Sequence, residues 1–349
     1  MSLTWITIGL GLIFVVVLLA PFLIKRVEAN LEIFLFIMGA IAASVSAVWS
    51  MHLVEEALVE PIKITAAVFL AGLLFHYFRH QIRRGVNGII KRIAFRPFVF
   101  VVIVVLGLLS SLISAIIAAL VLVEVVIATG IARRTAIKMI VIGCFAIGLG
   151  AVLTPLGEPL STIAIAKLKG EPYNAGFFYL FDLLGWLVIP GVFAFGALAV
   201  ILVGAKRQTE IVAESKEKEE TLVHVAVRAG KVYLFVMALI LLGGGFKPLV
   251  DLYFIHIPAF ALYWANSASA VLDNATLAAA EIGPNLSELQ IKSALMSLLI
   301  SGGALIPGNI PNIICAGKLK IGMREWASVG ILTAIVAMAL YFPLVFFLR

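Results

Sequence analysis

The sequence predicts an all-α polytopic membrane protein made of inverted-topology repeats, each with a re-entrant hairpin and a broken transmembrane helix. Three observations carry that expectation. Of 349 residues, 63% are hydrophobic and 13% charged, with a mean hydropathy of +1.15, whereas a soluble domain keeps roughly a quarter of its residues charged. Lysine and arginine gather in short segments between apolar runs, as they do where charge sets membrane orientation. Two proline-glycine interruptions, TPLGEP at 154–159 and IPGNIP at 306–311, cut apolar runs at corresponding places in the two halves of the chain.

In chain order, residues 3–24 are apolar and long enough to cross a bilayer, which needs about 20 residues. Lys25 and Arg26 follow, and neither a preceding basic segment nor a small-residue cleavage site is present. A retained first helix ending in the cytoplasm is therefore expected, not a signal peptide. Residues 31–51 cross back and complete an N-terminal helix pair over 1–61. Residues 52–60 carry Glu55, Glu56 and Glu60 but no lysine or arginine, which places them outside. Residues 62–78 then return to a basic loop at 79–96, with Arg79, Arg83, Arg84, Lys91, Arg92 and Arg96. Its charge, and the formal +7 of the chain, fit lipid headgroups and not nucleic acid.

The first repeat spans 62–204. Between 97 and 132 the only charge is Glu124, and both flanks are basic. Two full crossings with a turn need roughly 40 residues, so a hairpin entering and leaving on the cytoplasmic side is expected, turning within SSLIS at 110–114. A helix over 137–153 is broken by TPLGEP and resumes over 160–166, giving one broken crossing at about 137–168. Residues 177–204 cross back, and residues 205–229, mixed in charge, read as a cytoplasmic linker. The second repeat, 230–349, holds a crossing at 232–246, a hairpin over about 249–282, a broken crossing over about 291–318 and a last crossing at 326–348. Acidic flanks at Asp251, Glu281 and Glu288 make the second hairpin open outside. Cys144 and Cys315 lie in apolar runs and read as small buried side chains.

Span, hairpin, broken span and span thus occur twice with opposite orientation, the arrangement that places a binding site at mid-membrane. Sliding the chain by 151 positions pairs Lys167 with Lys318, Gly157 with Gly308 and Glu158 with Asn309. For the hairpins two registers stay open, one pairing Ser114 with Ser269 and the other Glu124 with Asp273. The sharpest candidate is AVLDNA at 270–275, because an ionisable group at mid-bilayer costs about 2.5 to 3.5 kcal/mol on insertion scales and marks an ion or proton path. The middle of the protein offers the carboxylates Glu124, Glu158 and Asp273 with the neutral oxygens of Asn274, Asn309, Asn312, Thr154, Ser161 and Thr276. Hard cations favour such oxygens. Asp273, Glu158, Asn274 and Asn309 are accordingly the expected sodium ligands. Capping of a half-helix is the rival reading for Asp273 and Asn274, backbone bonding for Glu158 and the hydroxyls, and a pair with Arg133 or Arg134 for Glu124. His256 reads as an interfacial histidine before a pH sensor.

The hairpin-plus-broken-helix repeat, the SAVLDNAT stretch and the breaks TPLGEP and PGNIPN together resemble the ion-transporter superfamily. That group includes NhaD-type sodium/proton antiporters, arsenite permeases and sodium/dicarboxylate symporters, and the likeness is nearest to a family labelled as predicted cation transporters. It runs from about residue 62 onward. The resemblance implies ion-holding roles for Asp273, Asn274, Thr276, Glu158, Asn309 and Asn312, and a homodimer. The first hairpin departs from the pattern in lacking an asparagine-threonine signature.

The expected function is a sodium/proton antiporter in a cell membrane, plasma or inner, with Asp273 and Glu158 taking cation or proton by turns. No resident cofactor is expected, only transported sodium and protons. The alternatives are a sodium-coupled symporter of a small anion with the same fold and, less supported, an ion channel. The absence of a GxxxxGK[ST] loop speaks against ATP-driven pumping, and the absence of a His or Cys cluster against a metal-dependent membrane hydrolase.

Overall fold

A computed structural model describes residues 3–204, 222–253 and 257–347. Among the described residues the regular structure is entirely helical. Six helices are long and apolar enough to cross a membrane: α1 (Leu3–Leu23), α5 (Phe95–Ile113), α7 (Arg133–Ala151), α9 (Tyr179–Val203), α10 (Leu222–Tyr253) and α15 (Met323–Phe347). Between α1 and α5 lie α2 (Lys25–Ala29), α3 (Leu31–Val45) and α4 (Met51–Arg92). The shorter pieces α6 (Ala115–Thr129), α8 (Pro159–Lys167), α11 (Ala259–Ala265), α12 (Asn274–Glu281), α13 (Glu288–Ser301) and α14 (Ile310–Leu319) fill the interior.

Three expectations change. The outside connection at 52–60, the crossing at 62–78 and the basic loop at 79–96 form, up to Arg92, one 42-residue helix, α4, roughly 63 Å long at 1.5 Å per residue. Switches in charge were read as loop boundaries, but glutamate, lysine and arginine are good helix formers and do not break a helix. Pro61 sits inside it without ending it. The crossing expected at 31–51 is shorter, because α3 stops at Val45 and Ala47 takes a positive φ of 53°. Finally, helix α10 begins at Leu222, inside the expected linker, and runs on to Tyr253. The rest of that linker, 205–221, and His256 lie outside the described residues.

The breaks fall where proline and glycine put them. Helix α7 ends at Ala151 and α8 starts with Pro159 as its first residue, while α13 ends at Ser301 and α14 starts after the 3-10 turn Ile306–Gly308, again with proline in its first turn. Proline suits the first turn, where its missing donor costs nothing. Helix α5 stops where Ser114 adopts a φ of 77°.

Packing divides the molecule. Helix α10 lies against α3 and α4, and α5, α7 and α9 pack on one another. Gly245 allows α10 to approach α3 closely, since a β-carbon there would stand 2.6 Å from that of Ala42. In the middle the two halves exchange partners: α6 packs on α14, and α12 packs on α8. Helix α7 is the most enclosed of the six long apolar helices, 83% of its apolar window being buried, against 22% for α1. The interior around α7, α13 and the short helices is therefore protein-lined, the setting in which broken backbone is tolerated at membrane depth.

Candidate functional site

Both breaks use the same local device. Glu158 and Asn309, the residues just before α8 and α14, are extended with φ of −156° in each. Ahead of each stands a glycine pressed against the end of the preceding helix. A β-carbon on Gly157 would meet Ala151 O at 1.9 Å, and one on Gly308 would meet Gly302 O at 2.5 Å. Nothing larger than glycine fits at such approaches. The start of α6 seats on the first break, where Ala115 N donates to Gly157 O at 2.7 Å, and the 3-10 turn before α12 seats on the second, where a β-carbon on Gly308 would stand 2.5 Å from Ser269 O.

Serine contacts and caps recur beside the two breaks. Ser110 Oγ donates to Ile147 O at 3.0 Å and Ser269 Oγ to Leu298 O at 3.4 Å, each one turn before the break. Ser114 and Asp273 cap α6 and α12, accepting from Ile117 N and Thr276 N. Ser110 and Ser269, like Ser114 and Asp273, hold similar local positions and are separated by the same number of residues.

Glu158 and Asp273 come together. Helices α8 and α12 pack on each other, and Asp273 and Asn274 lie near enough to Glu158 to act on its charge. Both acids are buried, at 6% and 8% exposure. Asp273 Oδ2 accepts from Thr276 N at 3.2 Å and Thr276 Oγ1 at 3.4 Å, while Asp273 Oδ1, Glu158 Oε1 and Asn274 Nδ2 have no hydrogen-bond partner. Among the described residues neither carboxylate has an ion-pair partner. Asp273 is thus a helix cap, the duller reading, and still offers a free oxygen.

These acids lie at one wall of a cavity of about 1100 Å³ that is also lined by Ser114, Thr276, Asn309 and Lys247 and, farther out, by Glu55, Glu56 and Glu60 of α4. A second cavity, of about 930 Å³, carries Lys25, Lys231, Lys318 and Lys320 with Glu28, Glu32 and Glu325. Helix α14 stands between the two. Ile310 faces the acidic cavity, and Ile313 and Ile314 face the basic one.

The remaining candidates hold the frame. Thr154 Oγ1 donates to Ser111 O, and Ser161 Oγ donates to Glu158 O at 2.7 Å. Asn312 Nδ2 bridges the second break by donating to Gly302 O at 2.8 Å and Leu305 O at 2.9 Å. The Asn309 amide lies beside Gly148 of α7. Glu124 is not at the site and does not pair with Arg133 or Arg134; it forms a buried ion pair with Lys318 of α14. The Lys318 side chain is only 4% exposed. Arg133 instead takes Glu325 at 2.8 Å and the carbonyl of Lys320 at 2.8 Å, closing the end of α14. Asn266 and Glu281 are further buried polar residues in the same kind of apolar stretch as Asp273, the signal by which sequence alone could find them.

A family model described as "Protein of unknown function (DUF1646)" matches residues 7–348, nearly the whole chain. A search of curated proteins finds no match.

Proposed function

The chain belongs to the DUF1646 family, whose description names no activity, and from its site we propose that it is a secondary active transporter exchanging a monovalent cation, sodium, for protons. The observation that carries this reading is that Glu158 and Asp273 line one cavity, each with a free oxygen and, among the described residues, neither with a basic partner. Two buried carboxylates that repel each other across a low dielectric favour a shared cation or, without one, a proton. Cation and proton therefore compete for one place. Exchange follows if the empty, doubly charged form cannot reorient, because uncompensated buried charge is costly.

The architecture favours the same reading. The arms α5–α6 and α11–α12 are taken as two re-entrant hairpins of opposite orientation, with α7–α8 and α13–α14 as the broken crossings of an inverted repeat. In this arrangement α14 is the partition between an outward acidic cavity and an inward basic one, and its shift would expose the acids to each in turn. Likeness to the ion-transporter superfamily belongs to the same proposal. The anion-symporter reading is less supported. Amino ends of α8 and α12 do point toward the site, but Glu158 and Asp273 already occupy the places an anion would take.

Proteoliposomes with a pH dye inside test the proposal across a panel of cations and small anions. Sodium pulses are expected to move protons, and Asp273→Asn is expected to cut that movement more than tenfold. Undiminished exchange in Asp273→Asn, or sodium-dependent uptake of an anion without proton movement, would overturn it.

A further inference from the structure

A second buried carboxylate stands apart from this site. Glu281 is the last residue of α12, is 7% exposed, and among the described residues neither Oε1 nor Oε2 accepts a hydrogen bond of good geometry. Asp273 caps the other end of the same eight-residue helix, roughly 12 Å away at 1.5 Å per residue. The two acids are thus separate centres. Ala279 faces the acidic cavity, whereas Glu281 does not line it.

Beside Glu281 lies Asn266, fully buried. Its Nδ2 is committed to Ser297 Oγ at 3.0 Å and to Ala294 O at 3.4 Å, and its main-chain oxygen accepts from Ser301 Oγ at 2.7 Å. Asn266 Oδ1 is left without a partner. Among the described residues three buried oxygens in this corner therefore lack donors, which native interiors rarely leave without a proton, a water or an ion. The end of α12 adds to the negative character. Ile282 N closes the helix on Ala278 O, and the last carbonyls of a helix, carrying the negative end of its dipole, have no internal donors. Lys292, the next basic residue along the chain, pairs with Glu288 at 4.0 Å and lies over the Trp186 ring at 5.8 Å.

We propose that Glu281 and Asn266 form a second site for a monovalent alkali cation, closed between α12, α13 and the 3-10 turn that contains Asn266. The ligands are the Glu281 carboxylate, Asn266 Oδ1 and carbonyl oxygens at the end of α12. Hard oxygen donors suit such an ion. One carboxylate balances a single positive charge, and no group of three His, Cys, Asp or Glu side chains suited to a metal ion occurs among the described residues. The site does not depend on exchange at Glu158 and Asp273.

Equilibrium binding of radioactive sodium to the purified full-length protein in detergent tests the assignment. The double variant Asp273→Asn/Glu158→Gln, with the first site disabled, is expected still to bind one sodium per chain. Adding Glu281→Gln is expected to weaken that binding more than tenfold. No binding by the folded double variant, or binding that Glu281→Gln leaves unchanged, overturns the proposal and shows Glu281 to be a protonated buried acid or a bystander. Thallium(I) soaked into wild-type crystals gives a readout that needs no variant to fold. An anomalous peak against Glu281 supports the site; peaks only at Glu158 and Asp273, or none, overturn it. A peak at Glu281 alone would instead remove the exchanger reading and leave this site standing.

Discussion

Glu124 and the Glu158–Asp273 pair are buried acids in apolar helices, and they differ in what faces them. Glu124 has the Lys318 ammonium, brought by α14 from the other half of the chain. Glu158 has another acid. A carboxylate with a permanent cation beside it is a structural tie between α6 and α14, whereas two carboxylates with free oxygens make a place for a mobile cation or proton. Burial and acidity are common to both regions, so neither property separates a structural tie from an open site; the partner does.

The strongest way to break the comparison is to strand Glu124. Lys318→Met is expected to cost about 3 to 5 kcal/mol, the usual penalty for leaving one member of a buried pair alone, and Lys318→Met/Glu124→Met is expected to recover much of it. Thermal unfolding in detergent reads both variants. Equal stability of Lys318→Met and wild type would show that the pair is not a tie.

A smaller effect is expected from loosening the backbone that holds Glu158 against Asp273. A β-carbon on Gly157 would stand 1.9 Å from Ala151 O, so Gly157→Ala is expected to cost about 1 to 3 kcal/mol through forced backbone shifts and to lower exchange. Gly170→Ala, with nothing within 4 Å, is the matched control and should stay within about 0.5 kcal/mol of wild type. Similar losses in the two variants would deny that the break is tightly packed.

The subtlest test concerns Glu158 itself. Glu158→Gln keeps shape and stands in for the protonated member of the pair, so stability is expected to change by less than about 1 kcal/mol or to rise, as for a group kept for function at the expense of stability. Proton-coupled sodium movement in vesicles is expected to fall more than tenfold. A marked loss of stability with exchange intact would assign Glu158 to the frame and reverse its role with that of Glu124.

Much of the frame was legible because its signals are local. Proline and glycine at TPLGEP and IPGNIP place the two breaks, and Ser114 falls at the end of the stretch proposed for the first turn. Helix α4 was misread because charge pattern reports solvent and headgroup contact, whereas helix continuity depends on backbone propensity. In the site, Asp273 and Glu158 stood out as acids in apolar runs. Their division of labour with Thr154, Ser161 and Asn312 did not, since a hydroxyl or amide that clamps a carbonyl looks the same in sequence as one that could ligate an ion.

By itself, the sequence determined the membrane class, the places where helices break and which side chains are too polar for their surroundings, because each follows from residue type and near neighbours. Only the tertiary structure decided that Glu124 meets Lys318, that Glu158 meets Asp273, and that Glu281 and Asn266 keep free oxygens in a closed corner. The physical reason is range. A buried charge is stable or reactive according to what lies within a few ångströms, and those neighbours come from helices that are, as with Glu124 and Lys318, nearly two hundred residues apart along the chain.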